Sequence, residues 1–556
     1  MERELLMAGL AKEEYDVVVL GTGAAGFTAA VVAHEFGASV AIFEKASLVG
    51  GTTAWSGGQV WIPNNPHMPE VGVHDSRDKA KTYVMSLSRD MLEERLVDAY
   101  IDNGPDMVEF MEAKTPVQFY AVPEMPDYHP EFPGGSPEGG RTIECPIFPF
   151  EELGEWEDMV TPSPYFADPH ITMSETPLGK AVPKPPSLEE HARRKEHNER
   201  GCGQALAGRL LKACLDRGIY PRVLCAGREL IIENGEVVGV HMETPKGPVE
   251  VRARKGVILA SGGFEHDKDL VRAFTRGPMT HPVSIETSTG DGLRMAMKAG
   301  AMLSNMREAW WIPTGVVPVE ANPMGKVLVN GQRTLPHSIM VNKRGRRFTN
   351  EAANYNAFGA AFHVENVSKF EYENLPCWLI FDQQYVDTYG FRISAGGNGS
   401  VVPDWIPRGE TPQELATKLG VDGDELVKSI ARWNDNVAAG HDPDFGRGDS
   451  AFDCWWGDPY RKGRRDATLG TLERGPYYAF EIKSGCLGTK GGPRVDPNAC
   501  VLNVDGDPIP GLYAAGNVMG SPFGMTYGGP GGTLGPAMVF GFIAGRHAAG
   551  RNTPGA

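Results

Sequence analysis

Three observations predict an α/β protein in which a parallel sheet with helices carries an inserted α+β region. First, a strand, a glycine turn, a helix and a second strand follow one another from Tyr15 to Lys45. Second, two apolar strands far along the chain, within Val257–Phe264 and Ile509–Asn517, each run into a glycine-containing turn. Third, 556 residues exceed one compact domain, so two domains or one with a large insertion are expected.

The N-terminal stretch has a physical reading at each position. Asp16 to Leu20 is a β-branched run of the length of a buried parallel strand. Gly21, Gly23 and Gly26 then have the G-x-G-x-x-G spacing, with Ala24 and Ala25 between them. Gly21 permits a tight turn, Gly23 lets a pyrophosphate approach the backbone, and Gly26 lets the helix pack on the strand. Ser39 to Phe43 is the second strand, and it ends at Glu44, where a carboxylate accepts from a ribose 2′-hydroxyl. Strand, glycines, helix, strand and acid in this order define a Rossmann-like dinucleotide site.

Composition narrows the classes. An apolar fraction of 41% is ordinary for a chain with a sizeable core. A formal charge of −17, spread along the chain, argues against nucleic acid as partner. The eight cysteines contain no C-x-x-C pair and no metal-ligand spacing, so no metal is expected and reduced thiols in the cytoplasm are. No apolar run is long enough to span a bilayer and the N-terminus lacks a signal-peptide pattern, which predicts a soluble, intracellular protein able at most to touch a membrane peripherally.

Past the first unit, residues Arg77 to Met111 have helical spacing of apolar positions. From about residue 115 to 186 the chain is rich in Pro, Gly and aromatic residues, the composition of a functional lid or binding loop for a flat apolar ligand. Cys202 to Arg217 returns to helix, and Val223 to Met242 reads as a hairpin turning at Asn234-Gly235. Residues 301–482 form the expected inserted catalytic domain, with a strand at Ser338 to Asn342, a turn at Lys343 to Arg347 and helices between Pro412 and Gly440. The remainder, 1–300 and 483–556, forms the dinucleotide-binding domain.

Gly50-Gly51-Thr52-Thr53-Ala54 and Ser56-Gly57-Gly58 make a loop of small residues and hydroxyls able to lie along a second stretch of a large cofactor. With the glycine fingerprint, this resembles the FAD-binding start of the fumarate reductase/3-ketosteroid dehydrogenase flavoproteins. Ile509 to Asn517 resembles that superfamily's second FAD motif, and Gly262-Gly263 and Thr289-Gly290-Asp291-Gly292 match it as well. The resemblance implies non-covalent FAD held by the residues named above together with Lys45, Gly516, Gly532, Thr533 and Leu534.

Fumarate reductases of this superfamily need cations to hold a dicarboxylate and an arginine to deliver a proton. Here Asn350-Glu351 is followed at the arginine's spacing by Tyr355, a His-Pro-Thr is replaced by Ile312-Pro313-Thr314, and Leu487-Gly488 stands where a paired His is expected before Thr489-Lys490-Gly491-Gly492. A dianion would be poorly held. These replacements resemble 3-ketosteroid Δ1-dehydrogenase over nearly the whole chain. That family's T-Y-x-G-P-G motif implies Tyr527 and Gly531 as donors to the ketone oxygen, although the residue after the Tyr, often Pro, is Gly528 here. The same resemblance implies Tyr355 as the base. Asp127-Tyr128-His129-Pro130-Glu131 followed by Pro133-Gly134-Gly135 implies Tyr128 as its support, with Tyr120 as competitor. His129 and His281 are read as structural; Trp310-Trp311 and Tyr477-Tyr478 either line an apolar substrate pocket or fill the core, with core slightly favoured.

The chemistry suits these residue types. Two donors at a ketone oxygen acidify the α-carbon, at about 3 kcal/mol per donor. A phenol of ordinary pKa about 10 needs help to act as a base, and a hydrogen bond from Tyr128 is expected to lower Tyr355. The expected reaction is FAD-dependent 1,2-dehydrogenation of a 3-ketosteroid with an external, non-nicotinamide electron acceptor. Desaturation of a smaller cyclic ketone, fumarate-reductase-like enoate reduction and flavin binding without turnover are the alternatives. Oligomeric state is not legible.

Overall fold

The structure is a computed structural model and describes residues 11–552, apart from 167, 177, 178, 180–183, 392–400 and 462. The expected strand at Asp16 begins earlier, as β1 (Ala11–Leu20), and leads through the glycine turn into helix α1 (Ala24–Glu35) and strand β2 (Val40–Phe43). Residues 24–33 of α1 are buried all round, which is why its sequence is small and apolar on every face.

The stretch of helical spacing from Arg77 forms two helices, Arg77–Ser86 and Glu94–Lys114. Arg89 and Asp90 both have positive φ, 46° and 58°, and no helix passes through such residues. Helix α2 (Cys202–Leu215) precedes strands β3 (Ala226–Glu233) and β4 (Glu236–Thr244), whose turn places Asn234 and Gly235 at φ 52° and 80°, as an Asn-Gly hairpin requires. Strand β5 (Gly247–Leu259) pairs antiparallel with β4 and parallel with β1.

A six-stranded antiparallel sheet follows, built from β6 (Ala309–Val316), β7 (Lys326–Leu328), β8 (Ser338–Asn342), β9 (Cys377–Phe381), β10 (Arg408–Gly409) and β11 (Tyr477–Thr489). Its strand path is β7-β6-β11-β9-β8, with β10 added to β11. Helices Pro412–Leu419 and Gly423–Ala438 start at Thr411 and Asp422, whose side chains accept from the amides of Glu414 and Glu425 at 3.2 and 3.0 Å. They lay Leu415, Leu426, Ile430 and Trp433 on Ile339, Ile380 and Ala479 of one face, while Phe358, Phe362 and Phe480 fill the other. Strand β11 continues past the expected boundary at 482 to Thr489, whose Oγ1 accepts from the Phe264 amide at 3.0 Å and fastens this sheet to the end of β5.

The chain then closes the first sheet with β12 (Cys500–Leu502) and β13 (Pro508–Ala514), before helix α3 (Leu534–Gly550). The seven strands run β2-β1-β5-β13-β12, with the β3-β4 hairpin on β5. Leu20, Phe43, Leu259 and Ala514 end four parallel strands side by side, the edge at which open α/β sheets bind ligands. Within 115–186, Gly139–Glu144 pairs with Tyr120–Pro123 on one side and with Val60–Trp61 on the other, so part of the expected irregular segment is a small sheet. The loop between its strands carries Tyr128.

Candidate active site

A cavity of about 260 Å³ opens at the ends of these parallel strands and runs to the antiparallel sheet. At the strand end it meets Gly21, Gly23, Ala24, Ala25, Glu44 and Lys45; along its length, Gly51, Thr52, Thr53, Ser56, Gly57, Gly58 and Gly262. Asp291, Gly516, Asn517, Thr533 and Leu534 also line it. Three expected cofactor residues stand behind this surface. An added Cβ at Gly26 would strike the Gly21 carbonyl, at Gly263 the Thr489 and Glu265 side chains, and at Gly532 the Tyr527 ring, so each position is closely packed.

The cradle fits a dinucleotide. Gly21 has φ +113°, and a Cβ there would strike the Ala260 carbonyl, so the turn admits only glycine. Helix α1 has no side-chain hydrogen bond at its N-cap Gly23 and no acidic residue in its first turn, which leaves its positive end facing the cavity. Thr53 Oγ1 accepts from the Ala24 amide at 3.0 Å. Glu44 Oε2 accepts from Thr22 N at 3.1 Å and Oγ1 at 2.6 Å, which fixes the carboxylate with lone pairs left over. Lys45 Nζ lies 2.8 Å from Asp291 Oδ2, so these two residues pair with each other at the rim. The Ser261 hydroxyl is buried in the lining without a partner among the described residues, as a ligand-facing donor would be.

At the other end three phenols converge. Tyr355 starts a 3₁₀ turn, Tyr355–Ala357, whose N-cap Asn354 accepts from Ala357 N at 3.2 Å. The preceding Asn-Glu pair is structural: Glu351 is clamped by Arg347 at 2.8 Å and Arg447 at 3.2 Å, and Asn350 donates to Asp453 at 2.9 Å. Tyr355 Oη donates to Tyr527 Oη at 3.2 Å, and Tyr527 Oη lies 2.8 Å from Thr533 Oγ1. The Tyr128 ring meets Tyr355 and Tyr527 edge to face, at centroid distances of 5.4 and 5.0 Å. Tyr120 lies elsewhere, bonded to Glu144, so of the two it is Tyr128 that packs against Tyr355.

The frame behind these rings explains their loops. Asp127 accepts from Trp61 Nε1 at 2.8 Å and from Arg141 at 2.7 Å, and Tyr128 N donates to the Gly528 carbonyl at 3.0 Å. A Cβ at Gly528 would lie 2.7 Å from the Trp61 ring, so a side chain there would crowd Trp61. Gly531 lines the cavity at φ +93°, its carbonyl accepting from Trp61 N at 3.1 Å, and no hydrogen bond among the described residues engages its amide.

One electrostatic expectation is corrected. Burial, then the neighbouring phenols Tyr128 and Tyr527, push Tyr355 well above the ordinary phenol value. Burial likewise raises Tyr128 and Tyr527. Three neutral phenols packed away from water disfavour a phenolate, and the resting cluster is protonated.

Several contributors carried no sequence signal. Trp456 stacks on Tyr355 at 6.2 Å and 14°, and Phe452 lies against Tyr128 at 4.9 Å. Both belong to a loop and short helix without a motif. Trp310, read as core, is buried but touches Tyr527 at 4.6 Å and donates to Asn517 at 3.0 Å, whereas Trp311 packs on His363 away from the cavity. His129 Nε2 is 3.0 Å from Asn354 Nδ2, the residue before Tyr355. Tyr165, Phe166 and Met173 of the aromatic segment, with Ile312, Leu328 and Leu487 of the second unit, add apolar walls to the cavity.

The FAD binding domain family matches residues 16–534. The 3-oxosteroid 1-dehydrogenase of Mycobacterium tuberculosis is 39% identical over 97% of this chain and 98% of its own length. A 4-oxocyclohexanecarboxylate 2-dehydrogenase of Sinomonas cyclohexanicum is 38% identical, covering 98% of this chain and 94% of that protein. The crystal structure of 3-ketosteroid Δ1-dehydrogenase from Sterolibacterium denitrificans in complex with 1,4-androstadiene-3,17-dione superposes with a TM-score of 0.89 at 33% identity, over 97% of this chain and 99% of that one. The class is that of FAD-binding flavoproteins, and the chain belongs, within it, to the 3-ketosteroid Δ1-dehydrogenase family.

Proposed function

We propose that this chain performs FAD-dependent 1,2-dehydrogenation of a 3-ketosteroid. The carrying observation is the cluster of Tyr128, Tyr355 and Tyr527, with the Gly531 amide, where an apolar cavity meets the cofactor cradle. In this reading residues 1–300 and 483–556 hold FAD without a covalent bond, and residues 301–482 close the substrate end.

Tyr527 Oη turns from Thr533 to donate to the ketone oxygen, and Gly531 N–H donates beside it, so charge developing on that oxygen is met by two fixed dipoles. Tyr355, once its own proton has passed to solvent, accepts as phenolate the proton from the carbon next to the ketone, and Tyr128 donates to that phenolate. FAD, when bound, supplies the oxidant that accepts the hydride from the following carbon. The apolar walls at Ile312, Leu328 and Leu487 exclude water and offer nothing to a carboxylate. An external acceptor then takes the electrons. Among the described residues no helix is long and apolar enough to cross a membrane. A substrate-laden membrane surface is approached from outside it, and the enzyme works in the cytoplasm.

A second reading, the same desaturation on a small cyclic ketone, is favoured by the likeness to the 4-oxocyclohexanecarboxylate enzyme. Turnover with an artificial electron acceptor tests both: a 3-keto-4-ene steroid gives the conjugated 1,4-diene under the leading reading. Conversion of 4-oxocyclohexanecarboxylate alone supports the second, and conversion of neither overturns both.

A further inference from the structure

A buried cation stands behind Tyr527, outside the steps described above. Lys490 follows directly on β11 and is fully buried. Its main chain is pinned on both sides, the amide to Glu308 O and the carbonyl to Ser521 N, each at 2.9 Å. Nζ donates to Thr526 O at 2.6 Å and lies 4.2 Å from the centre of the Trp310 ring and 5.7 Å from that of Tyr527. Trp310 and Tyr527 are themselves 4.6 Å apart with their planes inclined at 59°, so the ammonium sits against two tilted rings that touch each other. Beside it a cavity of about 10 Å³, the room of one water, is lined by Lys490, Asn517, Ser521 and Thr533.

Among the described residues Lys490 makes no ion pair. Glu308 is engaged by Arg276 at 3.4 Å, and Glu265, on the adjoining turn, accepts from Ser284 at 2.6 Å and the Thr489 amide at 3.2 Å. An ammonium buried without a carboxylate is costly, and an apolar side chain of similar volume would fill the space without that penalty. A cation on the face of a phenol withdraws electron density from the ring and strengthens the hydroxyl as a donor.

We propose that Lys490 is a positioning residue for the oxygen-binding phenol, its ammonium against the tilted Trp310–Tyr527 pair making Tyr527 a stronger hydrogen-bond donor to the ketone as the enolate forms. The inference rests on the reading of Tyr527 as the ketone's donor. Its pH behaviour follows from the surroundings. Burial lowers Lys490 to about 7, with Glu308 opposing and Arg276 adding to the fall. The charged form therefore dominates below that value and is lost as pH rises through it. An arginine keeps its charge there.

The test uses the FAD-loaded protein and its Lys490→Met, Lys490→Arg and Tyr527→Phe variants. Exchange of the steroid's C2 protons with deuterated solvent, followed in the anaerobically reduced protein, reads enolisation without net turnover. Lys490→Met is expected to slow exchange and kcat about tenfold with KM changed by less than about threefold, and Lys490→Arg to restore most of the rate. The ratio of Lys490→Arg to wild-type rate should stay flat below pH about 6 and climb above about 8. Exchange in Lys490→Met within about twofold of wild type overturns the proposal, as does a loss in Lys490→Arg equal to that in Lys490→Met. If Lys490→Met does not fold, the pH ratio decides, and a flat ratio overturns it. A normal exchange rate in Tyr527→Phe overturns instead the assignment of Tyr527 on which the inference rests.

Discussion

Tyr527→Phe removes one of two ketone donors, and kcat for desaturation is expected to fall about 10²–10³-fold. The melting temperature should hold, because the phenyl ring keeps its packing on Trp310 and Tyr128. Tyr355→Phe removes the base, and exchange of the α-proton with deuterated solvent should vanish while steroid binding persists. The rate should also climb with pH. Burial holds Tyr355 above the ordinary phenol value, so the fraction able to accept a proton grows as pH rises toward that raised value. A kcat/KM that is flat or falling for the Lys490→Arg variant across the alkaline range would contradict the phenol as base. These tyrosines were legible because each stands in a short motif. The direction of their titration was not, because it depends on water excluded by Trp456, Phe452 and Trp310, residues far apart in sequence.

At the scale of elements, the turn that carries Tyr355 is held by a buried charge network rather than by a long helix. Arg347 reaches both Glu351 and Asp442, at 2.8 and 3.0 Å, and Arg447 reaches Glu351 at 3.2 Å. Glu351→Gln leaves two buried guanidiniums short of a counter-charge and should cost about 3–5 kcal/mol, read as a lowered denaturant midpoint. Burial alone would raise the Glu351 carboxyl, but Arg347 and Arg447 hold it below the ordinary carboxylate value. Its folded pKa is thus depressed. The stability it contributes is complete above the unfolded value and is lost as pH falls through the folded one, and Glu351→Gln should flatten that acid limb. The Asn350-Glu351 pair marked this place in the sequence, but its partners Asp442, Arg447 and Asp453 lie about a hundred positions downstream and carry no spacing signal. Local signals did fix the βαβ unit, the Asn234-Gly235 hairpin and the capped helices after Thr411 and Asp422. They failed at Arg89-Asp90, where two left-handed residues break an otherwise helical pattern.

For the whole molecule, two sheets meet at a cavity that neither completes alone. The seven-stranded sheet offers the cofactor cradle, and the antiparallel sheet leads into the turn bearing Tyr355. Stripping FAD and restoring it should therefore shift the unfolding transition, by about 2.7 kcal/mol at a hundredfold excess over Kd, as seen in thermal melts. The order of motifs along the chain made this architecture legible, since glycine turns at both ends of the sequence converge on one site. The continuation of β11 to Thr489 was hidden, because a strand crossing between two units has no compositional break. The central claim is that Tyr355 removes the α-proton before hydride leaves for the flavin. It is tested most directly by anaerobic titration of the yellow protein with a 3-keto-4-ene steroid, following flavin absorbance in wild type and Tyr355→Phe side by side. Rapid bleaching of the wild type, with a variant that binds the steroid yet stays yellow, is the predicted result. Bleaching of Tyr355→Phe at the wild-type rate would contradict it.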